Sequence, residues 1–272
     1  MKKILTTAIL CAGLVGFTAC DSFLDEDPKS SLTLDTYYKT SADIIGNVNY
    51  LYRDGAPDKM GNMTGAYRGS SLSVMNMVTG YFVNEYEGQE VDCSYARQLT
   101  RQDFTQSCCN YLTNDTWKSC YKSINVANAV IKYVDGVEMD NQAQYKAEAR
   151  FFRALNYFYL VKMFGDVPMV TEPTEDATLV EYPTRTAASE VFNTVIIPDL
   201  QFAVENLPNA TFAGNSHRVT KYAADMLLAD VYMRLGEYAN AVTPLKDVIN
   251  SGKFALATND NLAEGSAFNK LR

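Results

Sequence analysis

The stretch "QAQYKAEARFFRALNYFYLVKMF", Gln142 to Phe164, limits the possible folds more than any other part of the chain. Ala147, Phe151, Leu155 and Phe158 recur at i, i+4, i+8 and i+11, with Ala154, Tyr157 and Val161 in the neighbouring row. That is helical periodicity with a stripe too wide for one partner, so the helix packs against at least two others. An aromatic stripe at this spacing reads as core, not as a cofactor box. Gly165 is placed to end the helix, and Pro168 blocks its resumption.

Other segments agree. "TSADIIGNVNYLY" begins with Thr40 and Asp43 at capping-box spacing and puts Ile44, Val48 and Leu51 on one face. "RDGAPDKMGNMTG" is a loop by composition, and "SSLSVMNMVTGYF" is a second apolar segment of helical type. "NDTWKSCYKSINVANAVIKYV" is predicted as a helix capped by Asn114 or Asp115, with Trp117, Tyr121, Ile124, Asn128 and Ile131 along one stripe. Asn128 there is expected to be a buried amide bonded to backbone. "TAASEVFNTVIIPDLQFAVENLP" is a further helix, kinked at Pro198. No strand series is evident.

"YAADMLLADVYMRLGEYANAVTPLKDVINSGKFAL" has the spacings of a tetratricopeptide unit in Leu228, Ala229, Tyr232, Gly236, Tyr238, Ala241 and Leu245. Small Ala229 and Ala241 let two helices approach closely, Gly236 makes the turn, and Tyr232 and Tyr238 are expected between the helices. Pro244 is expected in the tolerant first turns of the second helix. One such hairpin cannot bury its face alone, so neighbours must stack on it. The fold class is therefore all-α, a tetratricopeptide-like scaffold of helical hairpins with long irregular loops.

The N-terminus carries a different signal. Lys2 and Lys3 precede the apolar run Ile4 to Phe17, which is shorter than the roughly 20 residues a spanning helix needs. Residues 1–19 read as a signal peptide. "FTAC" then resembles a lipobox, making Cys20 the acylated first residue of the mature chain. Two or more acyl chains hold a protein stably on a bilayer. Residues 20–35 follow as a polar tether, and 36–272 as the helical body.

The chain has 272 residues and a net charge of -8. Without Lys2 and Lys3 the count is 22 positives against 32 negatives, or -10. That balance argues against nucleic acid and against basic-patch docking on anionic lipid. His217 is the sole histidine and no CxxC pair occurs, so no zinc site is expected. With Cys11 cleaved and Cys20 acylated, Cys93, Cys108, Cys109 and Cys120 remain, and their pairing stays open.

Several stretches together resemble the SusD/RagB family of outer-membrane nutrient-binding lipoproteins. They are "CDSFLDEDP", "TWKSCYKSINVANAVI", "AEARFFRALNYFYLVKMFGDVPMV", "YPTRTAASEVFNTVIIPDLQFAVENLP" and "HRVTKYAADMLLADVYMRLGEYANAV". The most specific residues are Glu148, Ala149, Arg150, Arg153, Ala154 and the Gly165–Pro168 turn. The resemblance implies surface capture of oligosaccharide, or of peptide in some members, without catalysis or cofactor. It also implies a partner, a TonB-dependent transporter of the SusC type, for which the lipoprotein is the lid. The acidic run Asp25–Asp27 after the cysteine accompanies export to the outer face of the outer membrane in such lipoproteins. Family members are usually much longer, so the chain is expected to be either a piece of a longer protein or a short member.

Aromatic faces and fixed polar groups hold sugars. The loop-rich region 60–113 supplies the candidate ligand residues: Tyr67, Arg68, Tyr81, Tyr86, Tyr95 and Arg97, with Glu87 beside them. The residues leave two other readings. A surface-anchored glycoside hydrolase would need two opposed carboxylates, and no pair stands out. A periplasmic tetratricopeptide adaptor would share the scaffold but not the surface location.

Overall fold

The computed structural model describes residues 34–54, 79–81, 101–102, 107–175 and 183–255. The chain divides into two units, Met1–Tyr37 and Tyr38–Arg272. In the first, the described part is the single turn α1, Leu34–Tyr37. The second unit holds α2 (Ser41–Asp54), α3 (Ser107–Tyr133), α4 (Gln142–Phe164), α5 (Ala188–Val191), α6 (Ile197–Asn206), α7 (Lys221–Arg234) and α8 (Tyr238–Asn250). Among the described residues there is no strand, only an isolated antiparallel bridge between Val167 and Thr186. The architecture is all-α and tetratricopeptide-like.

Helix α4 is the hub. It packs against α2, α3, α6 and α7, while α6 packs on α7 and α7 on α8. Its stripe is buried at Ala147, Phe151, Ala154, Tyr157, Phe158 and Val161. Leu155 is only half-buried, at the edge of the stripe. Gly165 takes φ +69° and donates its N–H to the Val161 carbonyl at 3.2 Å, ending the helix where a left-handed residue is required. Ile44, Val48 and Leu51 of α2 are fully buried. The capping box closes: Thr40 N–H donates to Asp43 Oδ2 at 2.8 Å, and Asp43 N–H reaches Thr40 Oγ1 at 3.4 Å.

Four local expectations need correction. Helix α3 starts at Ser107, so neither Asn114 nor Asp115 caps it. No Gly or Pro lies between 107 and 116, and an Asn or Asp inside a helix costs only a fraction of a kcal/mol. The kink at Pro198 takes the form of a π turn, Phe192–Ile196, between α5 and α6. Pro198 is the second residue of α6, and the wider turn absorbs its missing N–H upstream. Pro244 lies well inside α8 and is buried, deeper than the first turns. Tyr238 does not fill the hairpin: 68% of its surface is exposed. Ala229 and Ala241 are both buried, as small residues on the facing sides of such a hairpin should be. Gly236 makes the turn with φ +76°, and Lys221 bridges Asp225 and Asp247 at 3.3 and 2.6 Å, tying α7 to α8.

Candidate functional site

The candidate ligand segment 60–113 lies between α2 and α3 in the chain, except that residues 107–113 are not loop but the start of α3, and both helices rest on α4. What the described residues define is therefore the root of that segment. At the α2 end the anchor is Tyr52. Its hydroxyl donates to Glu148 Oε2 at 3.0 Å and accepts the Val219 N–H at 2.9 Å. Phe152 meets its ring edge to face at 4.8 Å, and the Arg218 guanidinium lies 4.7 Å from the ring centre. Burial, reinforced by the Glu148 charge, pushes the Tyr52 hydroxyl far above the usual tyrosine range.

Glu148 is fully buried on α4. Both of its oxygens accept from Arg218 Nε at 3.0 Å, and Oε2 accepts from Nη2 at 2.5 Å. Gln144 adds a bond at 3.1 Å. Arg218 also reaches Asn49 Oδ1 at 2.8 Å. Burial works against the Arg218 charge, but the Glu148 bonds outweigh it and raise its pKa. Helix α2, helix α4 and the segment before α7 are thus joined at one buried carboxylate.

The α3 end is held by rings and by a strap. Trp117 packs on Phe164 at 5.1 Å and on Tyr121 at 5.0 Å. The chain after Gly165 then runs along α3, bonded side chain to backbone. Tyr121 hydroxyl donates to the Pro168 carbonyl at 2.7 Å, Asn128 Nδ2 to the Val170 and Glu172 carbonyls at 3.0 and 3.2 Å, and Thr174 N–H to Asn125 Oδ1 at 2.8 Å. Tyr121, Asn125, Asn128 and Lys132 step by four, three and four along α3, and Lys132 ends the series on Glu175. From α4, Tyr157 hydroxyl both donates to the Val170 carbonyl (2.8 Å) and accepts its N–H (2.7 Å). Burial pushes the Tyr157 hydroxyl up to about 12. At the turn itself, Asp166 Oδ1 accepts the Ala188 N–H at 2.9 Å, and Arg185 donates to the Asp166 carbonyl at 2.8 Å.

Asn128 is buried and bonded to backbone, as its place in the stripe suggests, but its oxygen has a further role. It accepts from Arg153 Nη1 at 2.9 Å, while Arg153 forks onto Asp199 through Nε (2.7 Å) and Nη2 (2.9 Å). One chain of bonds thereby links α6, α4, α3 and the strap. Periodicity does not reveal this: Glu148 and Arg153 stand out only as charges inside an apolar helix, and their partners are 70 and 46 residues away.

Of the residues singled out for ligand, Tyr81 lies among the described ones. Its ring is 90% exposed, and its N–H bonds Thr79 Oγ1 at 3.2 Å. Tyr67, Arg68, Tyr86, Glu87, Tyr95, Arg97 and the lipidation candidate Cys20 lie outside the described residues, as do Cys93 and most of the helix expected at "SSLSVMNMVTGYF"; its described residues Thr79, Gly80 and Tyr81 form a turn instead, with Gly80 at φ +76°. Cys120 is buried. A depression of about 650 Å³ is lined by Ser41, Ile45, Glu138, Met139, Asp140, Asn141 and Tyr145. It offers hydroxyl, amide and carboxylate groups but a single ring, over which Arg218 lies at 5.3 Å. Among the described residues no group of three His, Cys, Asp or Glu could hold a metal, and no helix is long and apolar enough to cross a membrane.

The sequence profile of a SusD-like family, described as starch-binding and associating with the outer membrane, matches residues 22–233. The chain belongs to this SusD-like family. It is 29% identical over 254 residues to a SusD-like protein of Formosa agariphila, covering 92% of this chain and 47% of that one. With a SusD-like protein of Bacteroides ovatus it shares 29% identity over 248 residues, covering 88% and 40%. A SusD superfamily protein from Parabacteroides distasonis superposes with TM-score 0.64 at 25% identity, over 84% of this chain and 47% of that one. A protein crystallised with xylogluco-oligosaccharide gives TM-score 0.60 at 25% identity, over 79% and 42%. The chain spans about half the length of the curated relatives it matches. In this SusD-like chain, the motif residues Glu148 and Arg153 serve the interior bonding just described, and the exposed Asp166 holds the turn after α4.

Proposed function

We propose that the protein captures oligosaccharides at the cell surface and acts as the lid of a SusC-type TonB-dependent transporter. Acyl chains on Cys20 hold it to the outer membrane, and residues 20–35 form the tether about which it opens. The ligand loops lie within 60–113, with Tyr67, Arg68, Tyr81, Tyr86, Tyr95 and Arg97 as contacts, so that rings meet the C–H faces of sugars and guanidinium groups meet their hydroxyls.

The observation that carries this reading is the family profile over residues 22–233. Two others support it. A relative of this fold was crystallised with xylogluco-oligosaccharide. The buried carboxylates Glu148 and Asp199 are each taken up by an arginine, Arg218 and Arg153. A hydrolase needs carboxylates poised on the scissile bond; these two are sealed into the scaffold. Their sequestration supports a binder over a hydrolase.

Uptake by living cells tests the role. Cells lacking the gene are expected to lose import of a labelled oligosaccharide, with the full-length gene restoring it and a Cys20→Ala version failing to. Undiminished import in the deletion strain contradicts the reading.

A further inference from the structure

We propose that the loop between α6 and α7, residues 207–220, carries a carbohydrate-binding platform, with the Phe212 ring taking the C–H face of a pyranose and His217 one of its hydroxyls. The proposal rests on the glycan-binding reading above and adds a contact outside the 60–113 region.

Phe212 exposes 56% of its surface, and His217 beside it is also exposed. A single exposed ring is ordinary on any protein. What sets this one apart is the backbone that presents it. Ser216 and His217 are consecutive non-glycine residues in the left-handed region, at φ +51° and +62°. Strain of this kind persists only where the surroundings enforce it, and it gathers at functional positions. Here the surroundings do enforce it. His217 N–H bonds the Phe212 carbonyl at 2.9 Å, closing the loop on itself. Asn215 N–H bonds the Thr211 carbonyl at 3.0 Å, and its Nδ2 holds the Val219 carbonyl at 2.9 Å. The next residue, Arg218, is locked to Glu148 of α4. Two rings on so fixed a loop lose little freedom on binding, which favours affinity.

The ring geometry leaves room for a ligand. The Phe212 and His217 centroids are 5.2 Å apart and the planes are 84° apart. An edge-to-face pair leaves ring face uncovered, and the exposure of Phe212 shows that solvent reaches it. The surroundings specify the ligand class. Phe212 is followed by Ala213, Gly214, Asn215, Ser216 and His217, small or polar residues instead of the contiguous apolar area that a protein partner would bury. A ring flanked by hydroxyl, amide and imidazole groups matches a sugar, with its apolar C–H face and polar rim.

The sole histidine makes the test direct, because the full chain gives one set of imidazole signals in NMR. The probes are laminarihexaose, maltohexaose and a xyloglucan heptasaccharide. At least one is expected to move the His217 ring signals saturably. Phe212→Ala and Phe212→Leu are expected to abolish that movement and to weaken binding about two- to tenfold, while Phe212→Trp, which keeps a ring face, retains both. Phe212 is exposed, so circular dichroism should show all three variants folded. Glycan binding with unmoved His217 signals, or with equal affinity in folded Phe212→Ala, overturns the platform and leaves the functional reading standing. Failure of wild type to bind any of the three overturns both.

Discussion

Arg153 of α4 grips Asp199 of α6 with two bonds, Nε to Oδ2 at 2.7 Å and Nη2 to Oδ1 at 2.9 Å, in a site almost closed to water. The third arm of the same guanidinium holds Asn128 at 2.9 Å. The pair therefore joins helix packing to the course of the strap on α3. Breaking a buried pair costs about 3–5 kcal/mol, whereas replacing both partners by apolar groups is often nearly neutral; here Asp199 would keep only Arg150, whose Nε lies 3.8 Å from Oδ1, so the loss should fall at the low end. Arg153→Met alone is expected to lose that much in denaturant unfolding. Arg153→Met with Asp199→Leu is expected to recover most of it. Additive losses would contradict the pairing.

The second ion pair is asymmetric. Glu148 is fully buried, while the Arg218 side chain keeps 21% of its surface exposed. Deleting the arginine strands a carboxylate that has no route to water. Deleting the glutamate leaves a long side chain that can turn outward. Arg218→Met is thus expected to cost more than Glu148→Gln, by about 1 kcal/mol or more. Equal losses, measured by thermal or chemical unfolding, would show that Glu148 is not the buried centre described here.

Tyr157 is the acceptor for the Val170 amide. In Tyr157→Phe that half-buried amide loses its partner, at a cost of about 0.5–1.5 kcal/mol. Hydrogen exchange should speed at Val170 and leave the middle of α4 protected. Unchanged exchange at Val170 would mean that the strap is held by other bonds.

The capping box sets a pH dependence. Hydrogen bonds from the Thr40 hydroxyl and backbone hold the Asp43 carboxyl below its usual value of 3.8. A carboxyl with a lowered folded-state pKa stabilises the fold above its unfolded value and loses that contribution as pH falls through the folded one. The melting temperature of wild type should exceed that of Asp43→Asn by a constant amount from pH 7 to pH 5. The gap should close as pH drops below 3.8. A gap that persists at pH 2 would exclude the ionised cap as its source.

Much of the scaffold is legible in the sequence because its signals are local. The α4 stripe, the Gly165 stop, the Thr40–Asp43 box and the buried alanines Ala229 and Ala241 each depend on residues a few turns apart, and each is found in the structure. Errors arise where two local signals conflict. Asn114 and Asp115 resemble caps, yet α3 continues through them. Tyr238 matches the repeat spacing, but it stands at the first position of α8 and its ring lies outside. The two arginine–carboxylate pairs are not legible, since spacing within α4 cannot name partners on α6 or ahead of α7. Of the candidate ligand residues, only Tyr81 has a described position, and it is exposed. Phe212 carried no signal at all, because a lone ring in a polar loop has no periodicity.

Titration calorimetry of the full chain with starch, laminarin and xyloglucan oligosaccharides, followed by chromatography of the recovered sugar, tests the central claim most directly. The account predicts saturable binding to at least one glycan and sugar of unchanged length. Shortened oligosaccharides, or no binding heat from any of the three, would contradict it.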